Sequence, residues 1–362
     1  MKFQITTSPD PTLWDAYVCS HPKACLYHLF GWLRVIHKTY GHSVYSLAVT
    51  EAASGFIVGV LPLVHMRHPL FGNSLVSMPF FDMGGVLADT SAAEKHLLDH
   101  ALSLAQDLGA RSLELRHTVE LASLSGLDRF QAAFNGKPIH CRTRSHKVRM
   151  LLDLPCSSDA LMKSFKSKLR SQIKRPIKEG LQVKSGGAEL LDEFYDVFLE
   201  NMRDLGSPVH SKGMIQNVLA EFPDQSRIFV VYKGRKPMAV ALTIGFKGIV
   251  ENPWASALRS CAILSPNMLL YWGMLDYAAE NGFARFDFGR STPGEGTFKF
   301  KEQWGASPEP LQWYNFVLSG AITESSNGKF GRFYKVPIEI WKRLPITATR
   351  VLGPSIRKHI GL

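Results

Sequence analysis

Between Phe283 and Ala306 the chain reads Phe-Ala-Arg-Phe-Asp-Phe-Gly-Arg-Ser-Thr-Pro-Gly-Glu-Gly-Thr-Phe-Lys-Phe-Lys-Glu-Gln-Trp-Gly-Ala. A short strand over Arg285 to Phe288 breaks into a Gly/Pro loop, and two lysines follow on alternate residues. The alternation predicts an extended segment with Lys299 and Lys301 on one face and Phe298 and Phe300 on the other. Two cations on one face beside a glycine-rich loop suit a substrate with phosphates, or a negative charge that develops during reaction. The same spacing fits a solvated strand face equally well.

A second cationic zone spans residues 158–180. Lys163, Lys166, Arg170, Lys174 and Lys178 recur every three or four residues and predict one stripe along a helix. Leu161, Phe165, Leu169, Ile173 and Ile177 form the apolar stripe beside it. Like charges at this spacing destabilise a helix by a few tenths of a kcal/mol per pair, so the stripe is a cost unless an anion offsets it. A solvated face is the plain alternative. Pro176 removes an N–H and predicts a kink or early end to this helix, turning Lys178 elsewhere.

Phe300-Lys301-Glu302-Gln303-Trp304-Gly305 resembles the Phe-Lys-x-x-aromatic-Gly element of the FemAB family of peptidyl and acyl transferases. The longer pattern, Asp287-Phe-Gly-Arg-Ser followed by the Phe-Lys-x-x-Trp-Gly run, is most similar to the branch associated with exosortase (PEP-CTERM) systems. Lys168-Leu169-Arg170-Ser171-Gln172-Ile173-Lys174-Arg175 is similar to the family's basic helix, although Pro176 stands where alanine is usual. The resemblance covers most of the chain and is specific from about Lys147 to Trp313.

The resemblance implies an N-acyltransferase that moves an aminoacyl or acyl group to an amine of a cell-envelope or exopolysaccharide precursor. Such chemistry needs a donor site, a neutral amine, and stabilisation of the charge on a tetrahedral intermediate. By its motif position Lys301 stabilises that charge, on the oxyanion or on the leaving group. Arg170 is the expected phosphate contact, by its place in the motif and its bidentate fork. Lys174, Arg290, Lys299 and Trp304 complete the expected substrate-binding set. Gly289 lets the chain turn Arg290 toward a cleft. Asp287 could accept a proton or orient the amine, or equally be a strand-end carboxylate paired with Arg285 or Arg290. Glu251 is a weaker acid/base candidate.

No GxSxG, HExxH, Walker or Rossmann motif is present. Arg290 to Gly296 weakly resembles the Arg-x-x-Gly-x-Gly pyrophosphate loop of CoA-using GNAT enzymes. It is one residue too long, and no helix is expected after it. Typical FemAB members use aminoacyl-tRNA, which would suit a basic protein through phosphate contacts without base reading. The donor stays open between aminoacyl-tRNA and acyl-CoA. No bound cofactor, no metal and no DNA partner are expected. Five cysteines, with no CxxC pair, favour a reducing cytoplasm and argue against structural zinc.

The elements that must position these residues come in two echoing sets. A helix-like run stopping at Gly109 precedes the strand Ala110–Arg116, and another stopping at Gly282 precedes the strand Ala284–Arg290. Upstream of each lies a hairpin, Tyr45–Val49 with Phe56–Leu63 and Ile228–Tyr232 with Met238–Ile244. Duplication explains the shared order, which is that of the GNAT acyltransferase fold. FemAB-like proteins are built from two such units. The expected class is α/β (α+β): two tandem GNAT-like units, each a mixed, largely antiparallel sheet flanked by helices. The expected divisions are 1–150, 151–319 and a basic tail, 320–362, and the strand-like run 147–154 could pair back into the first unit. Ser265 is expected to cap the helix Pro266–Glu280, with Pro266 in its first turn.

Composition is that of a soluble globular protein, with 45% hydrophobic and 20% charged residues. No run of about 18 apolar residues exists to span a bilayer, and the first residues lack a signal-peptide core, so a cytoplasmic location is expected. The net charge of +11 is concentrated: residues 140–184 hold twelve Lys and Arg against three Asp and Glu, and residues 320–362 hold eight against two. In the tail, Phe330, Arg332, Phe333, Tyr334, Lys335, Trp341, Lys342 and Arg343 mix bulky apolar with basic side chains, while Pro337, Pro345 and Pro354 prevent one long helix. That mixture suits the inner membrane surface, where nucleotide- or lipid-linked anionic precursors are processed, or a tail strapped over the first domain. Two other readings stay open. One is a catalytically inactive scaffold for tRNA, membrane or another anionic polymer; the other is an acyl-CoA-dependent GNAT N-acetyltransferase.

Overall fold

The computed structural model describes residues 2–124, 129–134, 137–318 and 338–361, with backbone alone for 129–134 and 137–138. The tail residues Phe330, Arg332, Phe333, Tyr334, Lys335 and Pro337 lie outside the described residues. The elements up to the first sheet's hairpins are β1 (Phe3–Thr6), α1 (Pro11–Ser20), α2 (Gly31–Tyr40), β2 (Ser43–Glu51), β3 (Ile57–His68), β4 (Gly72–Val76) and β5 (Leu87–Ala88). Then come α3 (Ser91–Asp107), β6 (Ser112–His117), β7 (Arg129–Phe134), β8 (Lys137–Arg144), β9 (Val148–Asp153), α4 (Ser158–Ser164), α5 (Ser167–Lys178) and β10 (Leu181–Gly186). They are followed by α6 (Leu191–Leu205), α7 (Lys212–Glu221), β11 (Ser226–Lys233), β12 (Lys236–Phe246), β13 (Ile249–Ala257) and α8 (Pro266–Glu280). The last are β14 (Arg285–Ser291), α9 (Gly296–Glu302), β15 (Ser307–Pro310), β16 (Gln312–Val317) and α10 (Ile346–Arg357).

Two compact units result. One comprises the described residues of Met1–Val148, Glu309–Thr323 and His359–Leu362, the other those of Arg149–Pro308 and Glu324–Lys358. The first sheet runs β1-β2-β3-β4-β6-β16-β8-β7, with β5 on β3. β3 is buried without a break from Gly59 to Met66, as a central strand must be. α3 covers it with Leu97, Ala101 and Ala105 at four-residue spacing. Thr90 caps α3 by accepting from the Ala93 N–H at 3.2 Å, and Gly109, at φ +62, ends it.

The second sheet runs β10-β11-β12-β13-β14-β9-β15. α8 is buried on nearly every side, because it packs on β10, β11 and β12 and under α4 and α5. Its start differs from expectation. Ser265 occupies the cap position at φ 55, but its side chain makes no cap bond, since a left-handed backbone turns the hydroxyl away from the first N–H groups. Both sheets are largely antiparallel, and each holds a parallel pair, β4 with β6 and β13 with β14. The expected class, two mixed and largely antiparallel sheets flanked by helices, is what the chain forms.

The strand over 147–154 joins the second sheet beside β14 rather than the first, and β16 takes the equivalent place beside β6. β9 is buried at Met150, Leu151 and Leu152 in succession, which only an interior place in a sheet satisfies.

The basic helix is broken. Phe165 and Lys166 are extended, with ψ 146 and 147, and separate α4 from α5, so no single cationic stripe exists. The break lets Phe165 bury beside Leu169 and Ile173, while Ile177 is left half-exposed. Pro176 does not stop α5, which continues two residues further to Lys178. It is buried in the last turn, where few N–H groups remain to be lost, and Gly180 at φ +79 ends the segment.

α10 packs on α6 of the second unit, whereas the tail's last described residues, from His359, belong to the first, where the Gly361 carbonyl accepts from the Phe80 N–H at 3.0 Å. Gly353 permits the approach: a Cβ there would lie 3.0 Å from the Val209 side chain. Arg350 bonds Asp196 at 2.9 Å and Arg357 Nε donates to His210 Nε2 at 3.2 Å.

Burial lowers His28 to about 4 and His117 to about 3, and holds His210 well below its ordinary 6.5. The unfolded chain therefore binds more protons than the folded one below about pH 6.5. Stability is full above that value and falls as pH drops through 4 and then 3. The urea midpoint is expected to be lower at pH 4.5 than at pH 7.5, with a shallower loss in His117→Gln; equal pH dependence in both proteins would contradict this.

Candidate functional site

β13 and β14 pair from Ile249 with Arg285 to Glu251 with Asp287, and the register ends there although both strands continue. A bulge between β12 and β13 lies at this point, at Asn252 and Pro253. The Asn252 amide fills it by donating to the Leu242 and Trp254 carbonyls at 2.9 and 3.0 Å. β14 thus carries Gly289, Arg290 and Ser291 beyond the ladder, with Gly289 in the left-handed region at φ +74.

The Gly289 peptide is gripped from both ends. Its N–H donates to Asp287 Oδ1 at 2.8 Å, and its carbonyl accepts from Lys301 Nζ at 3.0 Å. Lys301 also donates to the Arg290 carbonyl at 2.8 Å. Asp287 is 1% exposed and Lys301 8%, so both charges stand in poorly solvated surroundings. Arg149 on β9 lies 3.6 Å from Asp287 Oδ2, an ion-pair partner that the residues around Asp287 do not reveal. Glu251, buried, is the register partner of Asp287 on β13.

Lys299 and Lys301 do not share a face. They lie on α9, where residues two apart point about 200° from each other, so Lys299 is exposed while Lys301 is buried. The turn Thr292–Glu295 and Gly294, at φ +82, start this helix, and the Lys299 N–H bonds the Glu295 carbonyl. A helix does follow the Arg290–Gly296 loop, so that sequence argument against a pyrophosphate-type loop fails; the extra residue remains.

Aromatic rings hold α9 in place. Tyr271 of α8 stacks on Phe288 at 5.6 Å and meets Phe300 edge-on at 5.0 Å, while Phe165 meets Trp304 at 5.7 Å. Burial pushes the Tyr271 hydroxyl up to about 12, so it stays protonated. Beside Trp304 is a cavity of about 390 Å³, walled by Leu152, Phe165 and Leu169 and edged by Lys166, Lys168 and Gln172. Trp304 Nε1 and Ser291 Oγ are buried without a hydrogen-bond partner. Buried polar groups are nearly always bonded, so these two stand out as unsatisfied.

Asp287, Lys301, the Arg290 backbone and Trp304 therefore come together on β14 and α9. Arg170 is half-buried, and its guanidinium donates to the Phe165 carbonyl at 3.1 Å, closing the end of α4. Lys174 and Lys299 are exposed on their helices. Sequence reasoning passed over Arg149, Ser291, Lys168 and Asn252. Lys168 and Ser291 lie inside the matched motifs, whereas Arg149 is visible only once β9 is known to flank β14. Among the described residues no group of three or more His, Cys, Asp or Glu could hold a metal ion.

The first unit fills the corresponding place. Its parallel pair ends at Val76 with Glu114, and two residues on, where the second unit has Gly289, stands Arg116. That guanidinium donates to the Phe81 carbonyl at 2.6 Å and to Glu114 at 2.7 and 2.8 Å.

Residues 163–302, which include Lys301, Asp287 and Arg170, match the model of the acetyltransferase (GNAT) domain. A curated relative, the UDP-N-acetylmuramoylpentapeptide-lysine N(6)-alanyltransferase of Weissella viridescens, is 26% identical over 147 residues. The chain is thus similar to FemAB-like GNAT transferases. The alignment with that relative spans 40% of this chain and 44% of the relative, less than half of its length. A solved structure of FemX superposes on this FemAB-like chain with a TM-score of 0.64 at 17% identity, covering 87% of this chain and 97% of that one. A tandem GNAT protein from the clavulanic acid biosynthesis pathway gives 0.55 at 11% identity, covering 88% and 99%. L-PGS from Bacillus licheniformis gives 0.55 at 12% identity, covering 94% and 100%. At these identities the structures share the fold of this chain.

Asp287→Ala removes the acceptor of the half-buried Gly289 N–H and the buried carboxylate beside Arg149, at an expected cost of about 2–4 kcal/mol. Asp287→Asn keeps an acceptor oxygen and is expected to cost distinctly less. Urea unfolding of both variants checks this; equal losses would mean that the bond to Gly289 contributes nothing.

Proposed function

We propose that this FemAB-like protein is an N-acyltransferase, moving an aminoacyl or acyl group to an amine of a cell-envelope or exopolysaccharide precursor. The buried Lys301 ammonium, anchored on the Gly289 and Arg290 carbonyls where β13 and β14 part, carries the reading. Its support is the match of this segment to the GNAT domain and the alanyltransferase activity named for the Weissella viridescens relative.

In this mechanism the acceptor amine attacks the donor's activated carbonyl carbon. A C–N bond forms and the carbonyl oxygen takes up negative charge. Lys301 supplies a fixed cation for that oxyanion or for the departing oxygen or sulfur, in surroundings where charge stabilisation is strong. The amine's proton passes to a carboxylate, with Asp287 and its register partner Glu251 as the candidates. The C–O or C–S bond to the carrier then breaks, and the carrier leaves with a proton. Ser291 Oγ and Trp304 Nε1 offer hydrogen bonds to the bound substrates. Arg170, Lys174, Arg290 and Lys299 attract the phosphates of a nucleotide- or lipid-linked acceptor. Aminoacyl-tRNA is the favoured donor, because the relative is an alanyltransferase and the basic excess suits a polyanion. Acyl-CoA is the alternative donor. The work takes place on the cytoplasmic face of the membrane.

Thermal stability measured against charged tRNA, uncharged tRNA and acyl-CoAs identifies the donor. A ligand at ~100 times its Kd stabilises by about 2.7 kcal/mol. Charged tRNA is expected to exceed uncharged tRNA, and a shift with CoA species alone would reassign the donor. With the donor in hand, Lys301→Ala is expected to lower turnover by about 10²–10³-fold while ligand-induced stabilisation persists. Turnover unchanged by Lys301→Ala would refute the role given to that residue. Absence of transfer by the wild-type chain with every donor would point to a scaffold.

A further inference from the structure

The hairpin between β3 and β4 closes at His68 with Gly72, leaving the three-residue tip Pro69-Leu70-Phe71. Leu70 is 87% exposed and Phe71 50%, at a site where polar turn residues would serve. The tip is held in shape: the Leu70 N–H donates to His68 Nδ1 at 3.1 Å. The Phe71 ring stacks on His359 at 5.9 Å, and His359 lies 4.1 Å from His68.

Phe71 also forms one wall of a groove of about 190 Å³, together with Arg67, Arg144 and Trp313. Glu114 is the one acidic side chain among the described residues lining the groove, and it is committed to Arg116 at 2.7 and 2.8 Å. Arg67 and Arg144 are exposed and leave the groove net positive. Arg116 lies over the Trp313 ring at 4.6 Å, which fixes the indole at the groove wall.

We propose that this hairpin and groove dock the first unit on an anionic phospholipid surface. Leu70 and Phe71 enter the headgroup layer, and Arg67 and Arg144 bind lipid phosphates. Charge complementarity together with the apolar tip selects this occupant. A small soluble anion would use the arginines and leave Leu70 and Phe71 in water, whereas a lipid surface satisfies both. The inference stands apart from the acyl-transfer reading.

The test is cosedimentation of the full chain with vesicles of phosphatidylglycerol and phosphatidylcholine, roughly 3:7, and with phosphatidylcholine alone. The chain is expected to partition onto the anionic vesicles and only weakly onto the neutral ones, with partitioning that falls as salt rises. Arg67→Gln with Arg144→Gln should lower partitioning about 25-fold, taking roughly fivefold per basic side chain at an anionic surface. Leu70→Ser with Phe71→Ser should lower it by about tenfold or more. Thermal melts should stay close to wild type, since all four side chains are exposed. Failure to bind anionic vesicles, or wild-type binding by either double variant, would overturn the proposal. Tight binding of inorganic pyrophosphate that is lost in the arginine variant but kept in the Leu70/Phe71 variant, without vesicle binding, would assign the groove to a soluble anion.

Discussion

Lys301 is a buried cation that donates hydrogen bonds to two backbone carbonyls, those of Gly289 and Arg290. Removing an ammonium from water costs several kcal/mol, and that cost is met only where acceptors are already fixed. Here the acceptors are fixed because Asp287 holds the same peptide by its N–H. Asp287 in turn requires a place in β14 just where its pairing with β13 ends, and an ion pair to Arg149 across the sheet. A seven-residue helix such as α9 is far below the length that is stable by itself. The packing of Phe300 and Trp304 against Tyr271 and Phe165 is what keeps Lys301 on target.

The duplicated scaffold shows what makes one copy a candidate site. Both units place a carboxylate, Glu114 or Asp287, at the last register position of a parallel pair. In the first unit an arginine two residues later fills the space and spends its donors on nearby carbonyls and on Glu114. In the second unit the equivalent residue is Gly289, and the cation arrives from a different element. A glycine leaves room and a left-handed turn where the arginine closes the gap. The difference between a structural copy and a candidate reactive copy therefore rests on one side chain and on the helix that follows.

Much of this was legible in the residues. Alternating apolar runs identified the hairpins, and glycine stops identified the ends of α3 and α8, because those signals are local. The motif around Lys301 was legible as a resemblance. Its geometry was not: four residues alternating lysine and phenylalanine fit a strand as well as a short helix, and only the packing of Phe300 on Tyr271 decides between them. Phe165 broke the expected basic helix for the same reason, since burial beside Trp304 outweighed continuous helical hydrogen bonding. Arg149 could not be found from its neighbours in sequence. Its partner is 138 positions away, and the contact exists only because β9 crosses to the second sheet.

The basic residues divide once the structure is known. Arg116 and Lys301 are buried and act on backbone carbonyls, and Arg170 closes the end of α4. All three contribute charge to the total, but Arg116 and Lys301 are largely committed within the protein. Arg67, Arg144, Lys166, Lys168 and Lys174 are exposed, and two pairs of them edge open cavities. Net charge alone would treat all eight alike. An electrostatic field outside the protein is shaped mainly by the exposed set, because a buried cation is partly neutralised by the dipoles and carboxylates that made its burial possible. Attraction of an anionic partner and stabilisation of a reacting charge are thus separate tasks, given to separate side chains, and a basic sequence segment can serve one without the other.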